Sequence, residues 1–166
     1  MLQRDVMKII IIGGKGLIGR SVVDLLKSNH EILVASRNNA DVLVDISDPS
    51  SIEDMYKKHR NVDAVIVTTG KVHFAPFDRI SLQDYQFSIE NKLLCQINVV
   101  TIGKRFLNDN GSFTLTSGIL NRDPIESGSA AAMVNGGLDA FTKAAAIEMP
   151  RGLRINCVSP TVITEG

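Results

Sequence analysis

The 166-residue sequence predicts one α/β domain, a doubly wound and mainly parallel sheet with helices on both faces in three layers, α/β/α. Three observations predict it. Short apolar runs alternate with helix-like segments from Lys8 to Val158. The first run, Lys8-Ile-Ile-Ile-Ile12, breaks at closely spaced glycines and passes straight into an apolar periodic segment. No shift in composition divides the chain, so residues 8–166 read as a single domain behind a polar, patternless extension, residues 1–7, expected to be disordered.

The elements follow in order. The β-branched run Lys8–Ile12 is too short for a helix and predicts a buried strand, and Leu17, Ile18, Val22, Leu25 and Leu26 mark the apolar side of the helix after it. Ser28-Asn29-His30 is a polar break before a second strand, Glu31–Ser36, and Asp41–Asp45 is a short third strand. A helix opens at Asp48-Pro49-Ser50, where Ser50 to Glu53 has the spacing of a capping box, and runs to about His59. Asn61–Gly70 is a fourth, apolar strand ending in two hydroxyls and a glycine, followed by a loop, Lys71–Phe77. Ser81 to about Leu107 contains a long helix with Phe87, Leu94, Ile97, Val100 and Ile102 as buried candidates. Gly111–Gly118 is a fifth strand after an Asp-Asn-Gly turn, and Ile125 to about Met149 carries a helix rich in small residues. Leu153–Val158 is a sixth strand, closed by Ser159-Pro160.

Composition excludes several functions. Eighteen Lys+Arg balance eighteen Asp+Glu, so no excess charge draws the chain to nucleic acid or to an anionic membrane. No apolar run approaches the roughly 20 residues of a membrane span, and the first residues are charged where a signal peptide is apolar, so the cytoplasm is the expected compartment. Cys95 and Cys157 stand 62 positions apart without ligand spacing and are expected to be buried, reduced thiols. With only three histidines, no metal site is expected.

Gly13, Gly16 and Gly19 form a G-x-x-G-x-x-G spacing between strand and helix, with Gly14 as a fourth glycine. A pyrophosphate at a helix N-terminus needs backbone N–H groups that no Cβ obstructs, and the last glycine lets the helix lie close to the sheet. This context makes the predicted fold Rossmann-like. Ligands on such sheets bind at the strands' carboxyl ends, where Gly13 to Gly19, Arg37, Asp45, Thr68 to Gly70, Ser117 and Pro160 all fall. An acidic residue near the end of the second strand would suit the ribose of NAD; here Ser36-Arg37 stands there, with Lys15 inside the glycine turn. Two cations and a hydroxyl point to the 2′-phosphate of NADP.

On these residues the chain resembles the short-chain dehydrogenase/reductase family from Lys8 to Thr164. Gly13 to Gly19 is similar to the family's glycine turn, and Val67-Thr-Thr-Gly70 stands where the family has Asn-Ala-Gly. Asn91 matches an asparagine of the central helix, Thr116-Ser117 the strand-end serines, and Arg154 to Pro160 the Arg-x-Asn-x-x-x-Pro segment. Gly137 to Glu148 looks like the second half of the active-site helix. The resemblance implies a cofactor set of Gly13, Lys15, Gly16, Leu17, Ile18, Ser36, Arg37, Asp45, Ile46, Thr68, Thr69, Gly70, Asn135, Pro160 and Val162 around NADPH, with Ser117 and Asn91 as catalytic residues.

It also exposes a departure. The family's Tyr-x-x-x-Lys pair passes the proton, whereas alignment back from Gly137 puts Ala131 and Asn135 in those positions. Alanine carries no proton, and a neutral amide keeps a hydrogen bond without lowering a phenol's pKa. His73, after Gly70, is the best substitute acid available, its plainer reading being a surface-loop histidine; Asp139 and Lys143, at i,i+4, suggest an exposed ion pair. The implied function is an NADP-dependent oxidoreductase on a small carbonyl or alcohol, with impaired or altered proton transfer. The alternative is an inactive NADP-binding sensor or assembly protein. A homodimer or homotetramer is expected, packed through the small-residue helix Gly128 to Ala146. Family members usually continue into a substrate-covering segment, so a chain complete at Gly166 would have an open substrate side.

Overall fold

The computed structural model describes residues 6–161 and residue 163. Six strands, β1 (Lys8–Ile12), β2 (Glu31–Ser36), β3 (Val42–Leu43), β4 (Ala64–Val67), β5 (Ser112–Thr116) and β6 (Arg154–Val158), lie in the order β3-β2-β1-β4-β5-β6. Every pairing is parallel. The helices are α1 (Leu17–Leu26), α2 (Pro49–Lys58), α3 (Leu82–Ser88), α4 (Cys95–Gly103) and α5 (Ser129–Glu148).

β1 is central because its isoleucines are apolar on both sides. Ile10 and Ile12 enter the larger core with Ile52, Met55 and Tyr56 of α2, Val99 and Val100 of α4 and Leu138 of α5. Ile9 and Ile11 enter a smaller one with Val22, Val23 and Leu26 of α1. Each fully buried isoleucine contributes about 1.5–3 kcal/mol of transfer free energy, so this strand anchors both faces. Helices thus cover both faces of the doubly wound sheet. On the α1 side, β6 turns Arg154 and Asn156 out to solvent.

Several elements differ from expectation. Only Val42 and Leu43 of the third strand pair with β2. Asp48, not Ser50, caps α2, accepting from the Ser50 N–H at 2.9 Å, while the Ser51 hydroxyl accepts from the Asp45 N–H. The reciprocal capping box lies at Ser81 and Asp84, opening α3. The long helix is interrupted by a π-helical turn, Ile89–Leu94, between α3 and α4. A π turn holds more residues than an α turn and rotates the faces on either side of it. Phe87 and Leu94 accordingly stand exposed, whereas Val100 is buried. Met7, at the edge of the anticipated extension, donates its N–H to His30 Nδ1 and accepts from the Glu31 N–H.

Tyr56 is the largest fully buried side chain; its hydroxyl donates to the Val99 carbonyl and its ring stacks on Phe106 at 5.6 Å. Gly103 leaves the space for it, since a Cβ there would collide with the phenol oxygen. Gly103→Ala is expected to destabilise the fold by about 1–3 kcal/mol through overpacking. A denaturant midpoint unchanged from the parent would show that the α2–α4 contact relaxes freely.

Candidate functional site

Gly13 has φ +84°, donates its N–H to the Ala35 carbonyl at 2.9 Å and accepts from the Gly16 N–H at 2.9 Å. A Cβ on Gly13 would lie 2.8 Å from Thr69 Cβ, and one on Gly19 would strike the Gly13 carbonyl. Only glycine fits this cradle. Gly16 caps α1 without a side-chain bond, and Arg20 N–H to Gly16 O is the helix's first internal hydrogen bond. The N–H groups of Leu17, Ile18 and Gly19 are therefore free donors at the positive end of the helix, an arrangement that attracts an anion.

A cleft of about 290 Å³ opens beside this turn, lined by Gly13, Lys15, Gly16, Ser36, Arg37, Asp45, Ile46 and Thr68 to Gly70. The predicted residues thus meet in space, and Ser47 and Lys71 join them. Ser47 donates to Asp45 from its hydroxyl (2.6 Å) and its N–H (3.0 Å). These bonds, with nearby Arg37, hold the Asp45 carboxyl below its usual range. Lys15, Arg37 and Lys71 outnumber that carboxylate, so the cleft is cationic. The Ser36 hydroxyl donates to the Asn38 carbonyl at 2.7 Å, so in this rotamer it can only accept.

A second cleft, about 460 Å³, shares Thr68, Thr69 and Gly70 with the first. Leu17, Ile18, Ser117, Ala131, Asn135 and Pro160 line it, as does Lys92. Val162 lies outside the described residues. Ser117 is 2% exposed and Asn135 3%; Asn135 Oδ1 has no hydrogen-bond partner, and Ser117 Oγ has none at ordinary length, with Asp139 and Cys157 close behind it. An unpaired buried polar atom costs about 1–3 kcal/mol, which marks this wall as built for a polar ligand or water. Asp139 approaches Ser117 from behind and accepts from Asn121 Nδ2 at 2.8 Å. Burial pushes its carboxyl up, but the dipoles of Ser117, Asn121 and Cys157, with the charge of Arg122, bring it below its usual range. Among the described residues it makes no ion pair with Lys143, contrary to expectation.

Two candidates fall elsewhere. Asn91 lines the first cleft, and its Nδ2 donates to the Phe87 carbonyl at 2.9 Å, so the structure does not bring it to Ser117. His73 is turned away: Val72 and Phe74 face the second cleft, while the His73 N–H bonds Ser88 Oγ and its ring stands 3.5 Å from Asp84. Sequence reasoning missed Lys92, whose Nζ donates to the Ser117 carbonyl at 2.9 Å. It also missed Gln96, fully buried, whose amide donates to the Thr116 carbonyl and accepts from the Thr116 N–H, each at 3.0 Å. A polar residue amid the apolar run Leu93 to Val100 was the available signal for Gln96.

Cys95 is buried, which pushes its thiol up to about 11, and half-buried Cys157 is also raised by burial. Among the described residues no trio of His, Cys, Asp or Glu is placed to hold a metal, and no helix is long and apolar enough to cross a membrane.

A parallel sheet in this order, with a glycine cradle and a crevice across the carboxyl ends of its strands, defines a dinucleotide-binding Rossmann-like domain. The family profile described as enoyl-(acyl carrier protein) reductase matches residues 20–166, and the chain belongs to the short-chain dehydrogenase/reductase family, whose members are NAD(P)-dependent oxidoreductases. A short-chain dehydrogenase/reductase of Stachybotrys chlorohalonatus, ATR9, is 27% identical over 92% of this chain and 72% of its own. The protein lin1944 of Listeria innocua superposes with a TM-score of 0.92 at 47% identity, over 95% of this chain and 79% of its own. A small-chain dehydrogenase solved in complex with NADPH gives a TM-score of 0.85 at 28% identity, over 94% and 70%.

Gln96→Leu removes both partners of Thr116 at the threshold of the second cleft. It is expected to cost about 2–6 kcal/mol, since each orphaned backbone group is worth about 1–3 kcal/mol. Urea unfolding measures this; a loss below that of an ordinary surface substitution would show that water replaces the amide.

Proposed function

We propose that the chain is an NADPH-dependent reductase of small carbonyl compounds. The observation that carries this reading is the crevice itself, cationic beside the glycine cradle and, at its other end, apolar with Ser117 and Asn135 buried and Asn135 Oδ1 unpartnered. The cradle and the start of α1 hold the pyrophosphate. Lys15 and Arg37 meet the 2′-phosphate, Ser36, Asp45, Ile46 and Thr68 to Gly70 form the walls around the adenosine half, and Leu17, Ile18, Asn135 and Pro160 those around the nicotinamide half. The complex of a relative with NADPH supports the choice of cofactor. When bound, the cofactor supplies a hydride. Ser117 Oγ–H orients the carbonyl oxygen, with Ala131 and Asn135 in the positions of the family's tyrosine and lysine. Asn91 serves the cofactor side as a wall.

Ala131 also favours a second reading, a protein that binds NADPH without turnover as a sensor or assembly partner. In either reading we propose self-association through the exposed side of α5, where Met133 stands in solvent.

NADPH fluorescence is expected to report saturable binding, and its absence would sink both readings. Arg37→Glu should weaken NADPH about 10- to 100-fold, the worth of a hydrogen bond to a charged group, and NADH much less; equal losses would show that Arg37 does not meet the 2′-phosphate. Ser117→Ala should lower the turnover of a consumed carbonyl about 10²- to 10³-fold, and unchanged turnover would remove Ser117 from the mechanism. Saturable NADPH binding with no carbonyl consumed would select the second reading.

A further inference from the structure

Carbonyl reduction consumes a proton, and Ala131 has none to give. Among the described residues lining the second cleft, Lys92 alone has a titratable side chain. The other acids and bases nearby are engaged elsewhere: His73 faces Asp84, Tyr85 bonds Ser129, and Asp139 lies behind Ser117 as a carboxylate.

Lys92 lies in the π turn. Asn91 and Lys92 are neighbours there and point in different directions, Asn91 to the first cleft and Lys92 to the second. Two glycines make room. A Cβ on Gly70 would lie 2.9 Å from Lys92 Cγ, and one on Gly137 would lie 3.1 Å from Leu93 Cδ1. Nζ spends one donor on the Ser117 carbonyl, and an ammonium has two more.

We propose that Lys92 is the proton donor of this site, delivering a proton from Nζ to the carbonyl oxygen that Ser117 Oγ–H orients. The proposal rests on the reductase reading above. As hydride reaches the carbonyl carbon, the C=O π pair moves to oxygen, the Nζ–H bond breaks and an O–H bond forms. The carbonyl is reduced to an alcohol, the nicotinamide is oxidised, and neutral Lys92 regains its proton from solvent. Desolvation holds the Lys92 ammonium below the ordinary lysine range, with the thiols of Cys157 (β6) and Cys95 acting weakly in the opposite direction. Among the described residues no carboxylate pairs with it. Since the protonated form is the donor, reduction is full below the Lys92 pKa and falls as pH rises through it.

Lys92→Met and Lys92→Arg test this in the intact chain, with circular dichroism confirming that each folds. Both should bind NADPH within about 3-fold of the parent. Both should lose about 10²- to 10⁴-fold in kcat/KM, the usual worth of a positioned acid, because guanidinium does not release its proton. Lys92→Met should also abolish the alkaline limb of the pH profile. By NMR of protein carrying ¹³Cε-lysine, the signal missing from both variants should titrate below the other lysines and shift when NADPH is added. Failure of the parent to bind NADPH would overturn the reductase reading. Parent-like kcat/KM in Lys92→Met with NADPH bound would overturn the role of Lys92 alone. So would a Lys92 signal that titrates with the other lysines and ignores NADPH, even if no carbonyl tried were consumed.

Discussion

Between β4 and β5 the hydrogen-bond ladder ends at Ile66 and Thr114, and beyond it the side chain of Gln96 takes the place of a neighbouring strand. Thr116 Oγ1 donates to the Val67 carbonyl at 2.7 Å, tying the two strand ends while they diverge. A parallel sheet that stayed zipped to its end would leave no crevice there. The clamp costs little, because both main-chain groups of Thr116 remain paired. It also sets the register of α4 against β5. Gln96 follows the π turn by two residues, so the bonds that hold Thr116 also fix where that turn falls and which of its side chains enters the opening.

The two halves of the crevice are chemically unlike. Beside the glycine cradle, Lys15, Arg37 and Lys71 surround the single carboxylate of Asp45. Past Gly70 the walls become largely apolar, with Leu17, Ile18, Val72, Phe74 and Ile119, and Lys92, Ser117 and Asn135 set among them. A ligand with phosphates at one end and a planar, weakly polar ring at the other can lie only one way along such a gradient. Charge orients it, and the lower local dielectric of the apolar half strengthens each polar contact there.

The strands and the cradle were legible because their signals are local. Four isoleucines in succession allow no other placement than the middle of a sheet covered on both sides, and the glycine spacing declares its turn directly. Residues set by tertiary contacts were not legible. Ser50 matched a cap pattern but donates its N–H and hydroxyl to Asp48, which takes the cap because Pro49 fixes the helix entry. Phe87 and Leu94 fit an uninterrupted helical period, and the π turn carries them outward. Lys92 was hidden because nothing local separates it from an ordinary solvated helix lysine; the contacts of the folded chain place it in the second cleft.

A cation brought into the second cleft from the π turn bears on the residues that line it from α5, Ala131 and Asn135. Two ammonium groups 4 Å apart repel by about 4 kcal/mol at an effective dielectric of 20, and both would also lose solvent in this cleft. With Lys92 in place, a lysine at position 135 would therefore oppose it, whereas Asn135 adds a hydrogen-bonding amide and no charge. Gly118 fits the same arrangement, since a Cβ there would lie 2.9 Å from Asn135 Nδ2. On the proposal that Lys92 carries the proton, Ala131 is also consistent: a phenol beside the substrate oxygen would compete for the volume through which the ammonium reaches it. On that proposal the proton comes from the π turn that leads into α4, and not from α5.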